Sequence, residues 1–379
     1  MNILVLAAYQ GDGSPTGSFV HEQVKAFQVL GQSVRVLAPI PFGKKGPDGR
    51  RLRNNRISFD GVEHVYLRYI SLSRFGARRI NSLFAAWAGL CGLRKYLNGF
   101  VPDVIHSHAF GTNKFLAGAV RRVLDCPLVV TTHGSDSNIP MQQGRFAEMK
   151  AVCDRADHIV AVSSVLGSTL RRCGTDTPIT TILNGFALRA LPAKIEKQPC
   201  TLIQVSNLIP QKKVDITLRA FARLRERHPD AKLTVVGQGG ERSRLEVMCS
   251  ELDISDAVRF TGQLPNEQVL SEMSAAQFFV MPSVREGFGI VYLEAMASGC
   301  VTIGTQGEGI SDLIVSGENG FLIPPDEPEH IADTIEWCLS HKGEASAIAE
   351  QGRSNALSLT WERNALQYIA LFRALLERD

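Results

Sequence analysis

Two glutamates, Glu286 and Glu294, stand with seven residues between them within Met281-Pro-Ser-Val-Arg-Glu-Gly-Phe-Gly-Ile-Val-Tyr-Leu-Glu-Ala-Met-Ala-Ser-Gly299. The apolar run before this segment reads as a buried strand ending at Met281. A loop then carries Glu286, and a helix is expected to open near Gly287 to Gly289 and to stop at Gly299. Small residues at a helix start leave its first N–H groups open to an anion, and the helix dipole favours negative charge there. That is the outline of a diphosphate site. Glu286 precedes the helix and Glu294 is expected about two turns along it, on opposite sides of the phosphate position. One carboxylate could hold sugar hydroxyls and the other a ribose. Taken singly, a glutamate near a helix start is most often a dipole contact, and one at mid-helix is a solvated side chain. The glycines and the preceding buried strand favour the functional reading of the pair.

A second cluster is Val205-Ser-Asn-Leu-Ile-Pro-Gln-Lys-Lys-Val-Asp215, again just past a strand and leading into a helix. A lysine at that end of a strand can neutralise a leaving diphosphate. Lys212 and Lys213 are adjacent and cannot both point inward. His106 and His108 alternate at the end of a further strand and share a face. A metal pair there lacks a third ligand at suitable spacing, so a core or acceptor-side role suits them better. No D-x-D motif is present to hold a divalent ion.

The elements that must position these residues follow one rhythm. Asn2 to Ala7 is a continuous apolar run, followed by Gly11, Gly13 and Gly17 and an amphipathic helix from about Phe19 to Leu30, with Gly31 as its stop. Val34 to Ala38, Asp103 to Ser107, Leu128 to Thr132 and His158 to Val162 continue the pattern. The segment Asn184 to Pro199, with Pro192, Lys194, Glu196 and Lys197, reads as an interdomain linker. Strands then restart at Thr201 to Val205, Lys232 to Val236, Val258 to Thr261, Phe278 to Met281 and Val301 to Gly304. Unbroken apolar strands spaced by helices imply parallel sheets covered on both faces. The expected fold is α/β, with two facing doubly wound domains over 1–190 and 198–358 and ligands at the carboxyl ends of the strands, in the cleft between. A last helix over 359–379 is expected to pack back on the first domain.

Composition limits the partners. The 379 residues carry a net charge of +3, so nucleic-acid binding is not demanded. Eight cysteines are scattered without a C-x-x-C pair, which fits a reduced compartment. The amino terminus has neither a basic flank nor a cleavage site, and no apolar run reaches the length of a spanning helix, so a cytoplasmic location is expected. Arg50, Arg51, Arg53 and Arg56, then Arg68, Arg74, Arg78 and Arg79 among Tyr69, Phe75, Phe84 and Trp87, suggest an anionic membrane surface or a phosphate-bearing lipid acceptor. A solvated loop followed by a core helix is the plainer reading of that stretch. A nicotinamide dehydrogenase is disfavoured, because G-x-G-x-x-x-G is one residue too long and the second strand ends in Pro39 rather than an acid. A two-lobed solute-binding protein would need an export signal. A sugar epimerase of the same fold is the nearer alternative.

The two glutamates with their internal Phe-Gly resemble the signature of the retaining glycosyltransferases of family 4, which have the GT-B fold. Supporting segments are Pro210-Gln-Lys212, Gly237-Gln-Gly-Gly240, Val258-Arg-Phe-Thr-Gly262 and Gly317-Glu-Asn-Gly-Phe-Leu-Ile-Pro324. Phe19-Val-His-Glu-Gln-Val-Lys25 and Thr132-His-Gly-Ser-Asp136 are similar to those of bacterial transferases that build cell-surface polysaccharides. The resemblance implies that Glu286 binds hydroxyls of the transferred sugar, Glu294 the ribose, and Lys212 the diphosphate, beside backbone amides of Gly287, Phe288, Gly289, Ile290 and Val291. It also implies that Gly17 lets backbone approach the donor, that His133 touches the donor sugar, and that Arg259 to Gly262 border the nucleobase. His108 and Asp136 would face the acceptor. The donor would be a UDP-sugar or GDP-sugar carrying a hexose, used as co-substrate with no further cofactor and no metal. The acceptor would be a glycan or lipid-linked molecule, with the enzyme peripheral on the inner membrane face. Three positions depart from the family: Asn207 replaces a phosphate-binding arginine, Gln277 an acid, and Asp312 the glutamate of the late glycine-rich loop.

Overall fold

The structure, a computed structural model, describes residues 1–7, 18–42, 56–70, 83, 84, 87, 93, 97–110, 113–187 and 196–377. Gly11, Gly13, Gly17, Arg50, Arg51, Arg53, Arg74, Phe75, Arg78, Arg79, Pro192 and Lys194 lie outside them. The chain divides into two compact units, 1–185 with 361–379, and 186–360.

In the first unit the strands are β1 (Asn2–Leu6), β2 (Ser33–Pro41), β3 (Arg56–Phe59), β4 (Val62–Tyr69), β5 (Val104–His108), β6 (Leu128–Thr132), β7 (His158–Ala161) and β8 (Ile179–Thr181). They lie in the order β3-β4-β2-β1-β5-β6-β7-β8. Ile3 to Leu6 are fully buried, as a strand covered on both faces requires. The pairings are parallel except β3 with β4. That antiparallel pair corrects the expectation of a solvated loop over residues 56–69, whereas the described residues of the expected core helix, Leu83, Phe84, Trp87, Leu93 and Leu97, are helical, with Leu93 and Leu97 buried. Arg56 and Arg68 belong to the hairpin, and Glu63 on β4 pairs with Arg35 of β2 at 2.9 Å. Trp87 is exposed.

Helix Trp361–Leu376 belongs to this unit and packs along helix Ser18–Val29. Its buried Ala365, Tyr368, Ile369 and Phe372 recur at helical spacing. The Asn364 amide locks it in place: its Oδ1 accepts from Gln23 at 2.6 Å, and its Nδ2 donates to the Leu183 carbonyl at 2.7 Å.

The second unit holds β9 (Gln198–Val205), β10 (Lys232–Val236), β11 (Val258–Gly262), β12 (Ala276–Val280), β13 (Val301–Thr305) and β14 (Phe321–Ile323), all parallel, in the order β11-β10-β9-β12-β13-β14. Strand order therefore reverses between β9 and β12, where Leu202 and Ile203 pair with Phe278 and Phe279. Loops leaving the carboxyl ends of those two strands diverge to opposite faces and open a crevice. Lys197, read from sequence as linker, is built into the unit. Its ammonium donates to the carbonyls of Met273 at 3.0 Å and Ser298 at 2.7 Å. No helix among the described residues is long and apolar enough to cross a membrane.

Candidate functional site

The loops after β9 and β12 each deliver one charged side chain to the strand-order reversal. After β9, Ile209 turns into a single 3-10 turn, Pro210–Lys212. Gln204, fully buried on β9, donates to the Lys212 carbonyl at 2.8 Å and fixes that turn from below. After β12, Val284 N–H donates to the Gln211 carbonyl at 2.9 Å, tying the second loop to the first. The result is an ion pair between the Lys212 ammonium and the Glu286 carboxylate, both about one-fifth exposed. Lys213 takes the left-handed conformation (φ 50°), which turns its side chain away to Asp326 at 2.6 Å. Of the two lysines, Lys212 is the one beside Glu286.

Helix Ile290–Ala297 begins just beyond Glu286, with Gly289 as its N-cap at φ 80° and no side-chain cap. A Cβ on Gly289 would lie 2.8 Å from the Tyr292 ring and 3.3 Å from Glu286 Cγ, so only glycine fits both the turn and the space. Tyr292 N–H is taken by the Gly289 carbonyl. The N–H groups of Ile290 and Val291, at the first two helical positions, have no intrahelical partner. Tyr292 is fully buried, and its hydroxyl donates to the Met281 carbonyl at 2.6 Å, holding the strand end to the helix start. Phe288 is buried beneath the loop.

Glu294 is the fifth residue of this helix, just over one turn in rather than two. Its carboxylate makes no hydrogen bond or ion pair among the described residues. Burial without a compensating donor pushes its carboxyl up to about 7.

A third carboxylate was not anticipated from the sequence. Glu308, in Thr305-Gln-Gly-Glu-Gly309 after β13, accepts the Glu286 N–H at 2.8 Å and also a hydrogen bond from the backbone of Arg285. Burial raises the Glu308 carboxyl, opposed by these hydrogen bonds and reinforced by the Glu286 charge. Arg285 is left-handed, with φ 65°. The two loops touch so closely that a Cβ on Gly309 would lie 2.0 Å from the Gly287 carbonyl oxygen. A glutamate between two glycines straight after a parallel strand was the signal. The sequence reading gave the acidic role in that loop to Asp312, which ends the 3-10 turn Gly309–Asp312.

Of two further donor-side expectations, one lies on the Lys212 loop and the other lies elsewhere. Asn207 is exposed on the loop after β9, its side chain without a partner among the described residues. Arg259 is the second residue of β11 and lies toward the amino end of the strand. Its guanidinium pairs with Glu272 and reaches Thr234 Oγ1 at 3.2 Å, in the wall of a cavity of about 440 Å³ lined also by Thr201 and Lys232. The Lys212–Glu286 crevice is at the carboxyl ends. Arg259 is thus not brought together with the two glutamates.

In the first unit, Asp136 is fully engaged by its own turn and by the loop after β5. Its Oδ1 accepts from His133 N at 3.1 Å, Gly134 N at 3.0 Å and Thr132 Oγ1 at 3.0 Å, and its Oδ2 from Phe110 N at 3.0 Å. Four donors leave it little capacity for an acceptor hydroxyl, so its work is to hold the Thr132–Gly134 turn. His133 emerges from that turn half-buried, 3.0 Å through Nε2 from Nδ1 of the buried His108. Burial pushes the His133 ring down to about 4 and His106 to about 3, and His108 lies well below its usual value. All three are neutral at pH 7. Among the described residues no group of three or more His, Cys, Asp or Glu could hold a metal ion.

Comparison with known proteins gives this arrangement a setting. The family described as "Glycosyltransferase Family 4" matches residues 16–189, and "Glycosyl transferases group 1" matches 191–355. The chain belongs to the GT-B glycosyltransferases of the family 4 type. It is 36% identical over 167 residues to the D-inositol 3-phosphate glycosyltransferase of Corynebacterium urealyticum, a stretch covering 42% of this chain and 39% of that protein. Its fold is similar to that of the sucrose-phosphate synthase of Thermosynechococcus elongatus, with 21% identity, a TM-score of 0.82 and all of both chains covered. The Anabaena protein HepE, solved with UDP and glucose, is 19% identical with a TM-score of 0.76, over 99% of this chain and 100% of that one.

Proposed function

We propose that this enzyme transfers a hexose from a UDP- or GDP-sugar to a glycan or lipid-linked acceptor, with retention at the anomeric carbon and without a metal ion, in the synthesis of bacterial surface polysaccharide. The observation that carries the donor half is the Lys212–Glu286 pair at the strand reversal, set before an uncapped helix start. A diphosphate entering there meets the Lys212 ammonium and the N–H groups of Ile290 and Val291. These fixed positive groups match the charge that grows on the leaving nucleotide as the sugar–phosphate bond breaks. Glu286 then binds hydroxyls of the transferred sugar and Glu294 those of the ribose. The backbone of Lys212 is held by the Gln204 contact, which fixes where its side chain starts.

The inositol-phosphate relative favours a phosphate-bearing acceptor. A thermal-shift screen with UDP, GDP, ADP and their sugars identifies the donor class by mass action on the folded state. NMR of the product's anomeric centre then reads retention, and unchanged turnover in EDTA reads metal independence. Sedimentation with vesicles containing anionic lipid tests the membrane surface. No stabilisation by any nucleotide would remove the donor assignment.

A further inference from the structure

Three histidines of the first unit, His106, His108 and His133, form one connected group rather than separate site residues. His106 and His108 lie two apart on β5, with ring centroids at 4.4 Å. His106 Nε2 is 2.9 Å from Thr131 Oγ1, which is 2.8 Å from the Tyr368 hydroxyl of the carboxyl-terminal helix. His108 stacks on His133 at an interplanar angle of 13°, joined by the 3.0 Å contact of Nδ1 with Nε2. Phe19 lies on His133 with centroids at 4.5 Å.

Two neutral imidazoles sharing one N···N hydrogen bond have a binary choice, since each ring carries a single N–H. If His108 Nδ1 is bare, His133 must be protonated on Nε2 and offers a bare Nδ1; if His108 Nδ1 is protonated, His133 offers an Nδ1–H. Nδ1 of His133 has no hydrogen-bond partner among the described residues, so it is the atom left to meet a ligand. His108 is 5% exposed and cannot itself present much surface to an acceptor.

We propose that His108 is a positioning residue, which ties the tautomer of His133 to its own and holds the ring's orientation, so that His133 presents Nδ1 in a single hydrogen-bonding sense. This rests on the reading of His133 as a donor-sugar contact for its purpose, though not for its geometry. A histidine free to turn or to exchange tautomers would present the wrong atom part of the time, and binding energy would be spent on selecting the right one.

The test is nitrogen-15 NMR of full-length protein with labelled histidines. In the wild type His133 shows the shift pattern of one tautomer and a through-hydrogen-bond coupling between its Nε2 and His108 Nδ1. His108→Phe keeps a stacking ring but removes the bond, so the coupling is lost and the His133 pattern averages. His108→Asn puts an amide near the former Nδ1 and restores a single tautomer. An averaged His133 pattern in the wild type, or a single tautomer persisting in His108→Phe, overturns the proposal. The wild-type arm stands even where a variant fails to fold. Turnover of His133→Phe with the sugar nucleotide found in the melt screen tests the sugar contact separately. Full activity there removes that reading and leaves the tautomer result intact.

Discussion

Glu308 accepts the backbone N–H of Glu286 across the gap between two loops, at 2.8 Å, while Glu286's own carboxylate grips Lys212. One carboxylate thereby aims another. Glu308 is a positioning residue on this geometry, and Glu308→Ala should lower kcat/KM by about 10- to 100-fold, the scale on which misplacing a reacting group acts. Glu308→Gln keeps an acceptor oxygen and should recover most of that loss. Equal activity of Glu308→Ala and wild type would separate the two loops functionally.

The two adjacent lysines should behave differently. Lys212→Ala removes the cation beside Glu286 and should weaken UDP or GDP binding, by about 1.5 to 3 kcal/mol for a charge-assisted contact. Lys213→Ala breaks only a half-exposed pair with Asp326 and should leave nucleotide affinity within about twofold. Calorimetric titration of both variants checks this. Glu286→Ala should abolish transfer while the protein still melts cooperatively, whereas Glu294→Ala should act mainly on nucleotide affinity.

Much of the fold could be read from sequence because parallel strands covered on both faces are continuous apolar runs, as in Ile3 to Leu6 and Phe278 to Val280. The β3–β4 hairpin was hidden by its arginines, although Asp60-Gly61 carried the signal. Both have positive φ, 47° and 75°, as a two-residue hairpin turn demands. The paired glutamates and the open helix start were legible as local grammar. What was not legible depends on loops meeting: Glu308 reaches Glu286 only because β13 lies beside β12. Arg259 looked like a site residue by its motif, yet its place near the start of β11 puts it toward the other end of the sheet. The choice between Lys212 and Lys213 was made by one backbone angle.

Gly309 should tolerate no side chain. A Cβ there would overlap the Gly287 carbonyl oxygen at 2.0 Å, and backbone on both sides leaves nothing flexible to yield. Gly309→Ala should therefore cost about 1 to 3 kcal/mol, as overpacking does. It should also displace the Glu286 loop, with transfer falling more than stability alone explains. Gly240→Ala, which meets nothing within 4 Å, is the control in a thermal melt.

The sign of the pH dependence follows from Glu294. Its carboxyl is raised by burial to about 7 in the folded protein, above the ordinary value it regains on unfolding. Between the two values the folded state binds more protons than the unfolded one, so this group's contribution to stability falls as pH rises through that window. The loss is complete above about pH 7 and amounts to at most about 3 kcal/mol, at 1.36 kcal/mol per pKa unit. Glu294→Gln cannot ionise, so its melting temperature should match the wild type near pH 4.5 and exceed it at pH 8. Ribose hydroxyls donating to the carboxylate would favour its charged form. Nucleotide binding should therefore release a proton near pH 7 and tighten as pH rises from 6 to 8, and the variant should show neither effect. Titrations of the nucleotide in buffers of different ionisation enthalpy count that proton, and none released in the wild type would mean that the ribose does not meet Glu294.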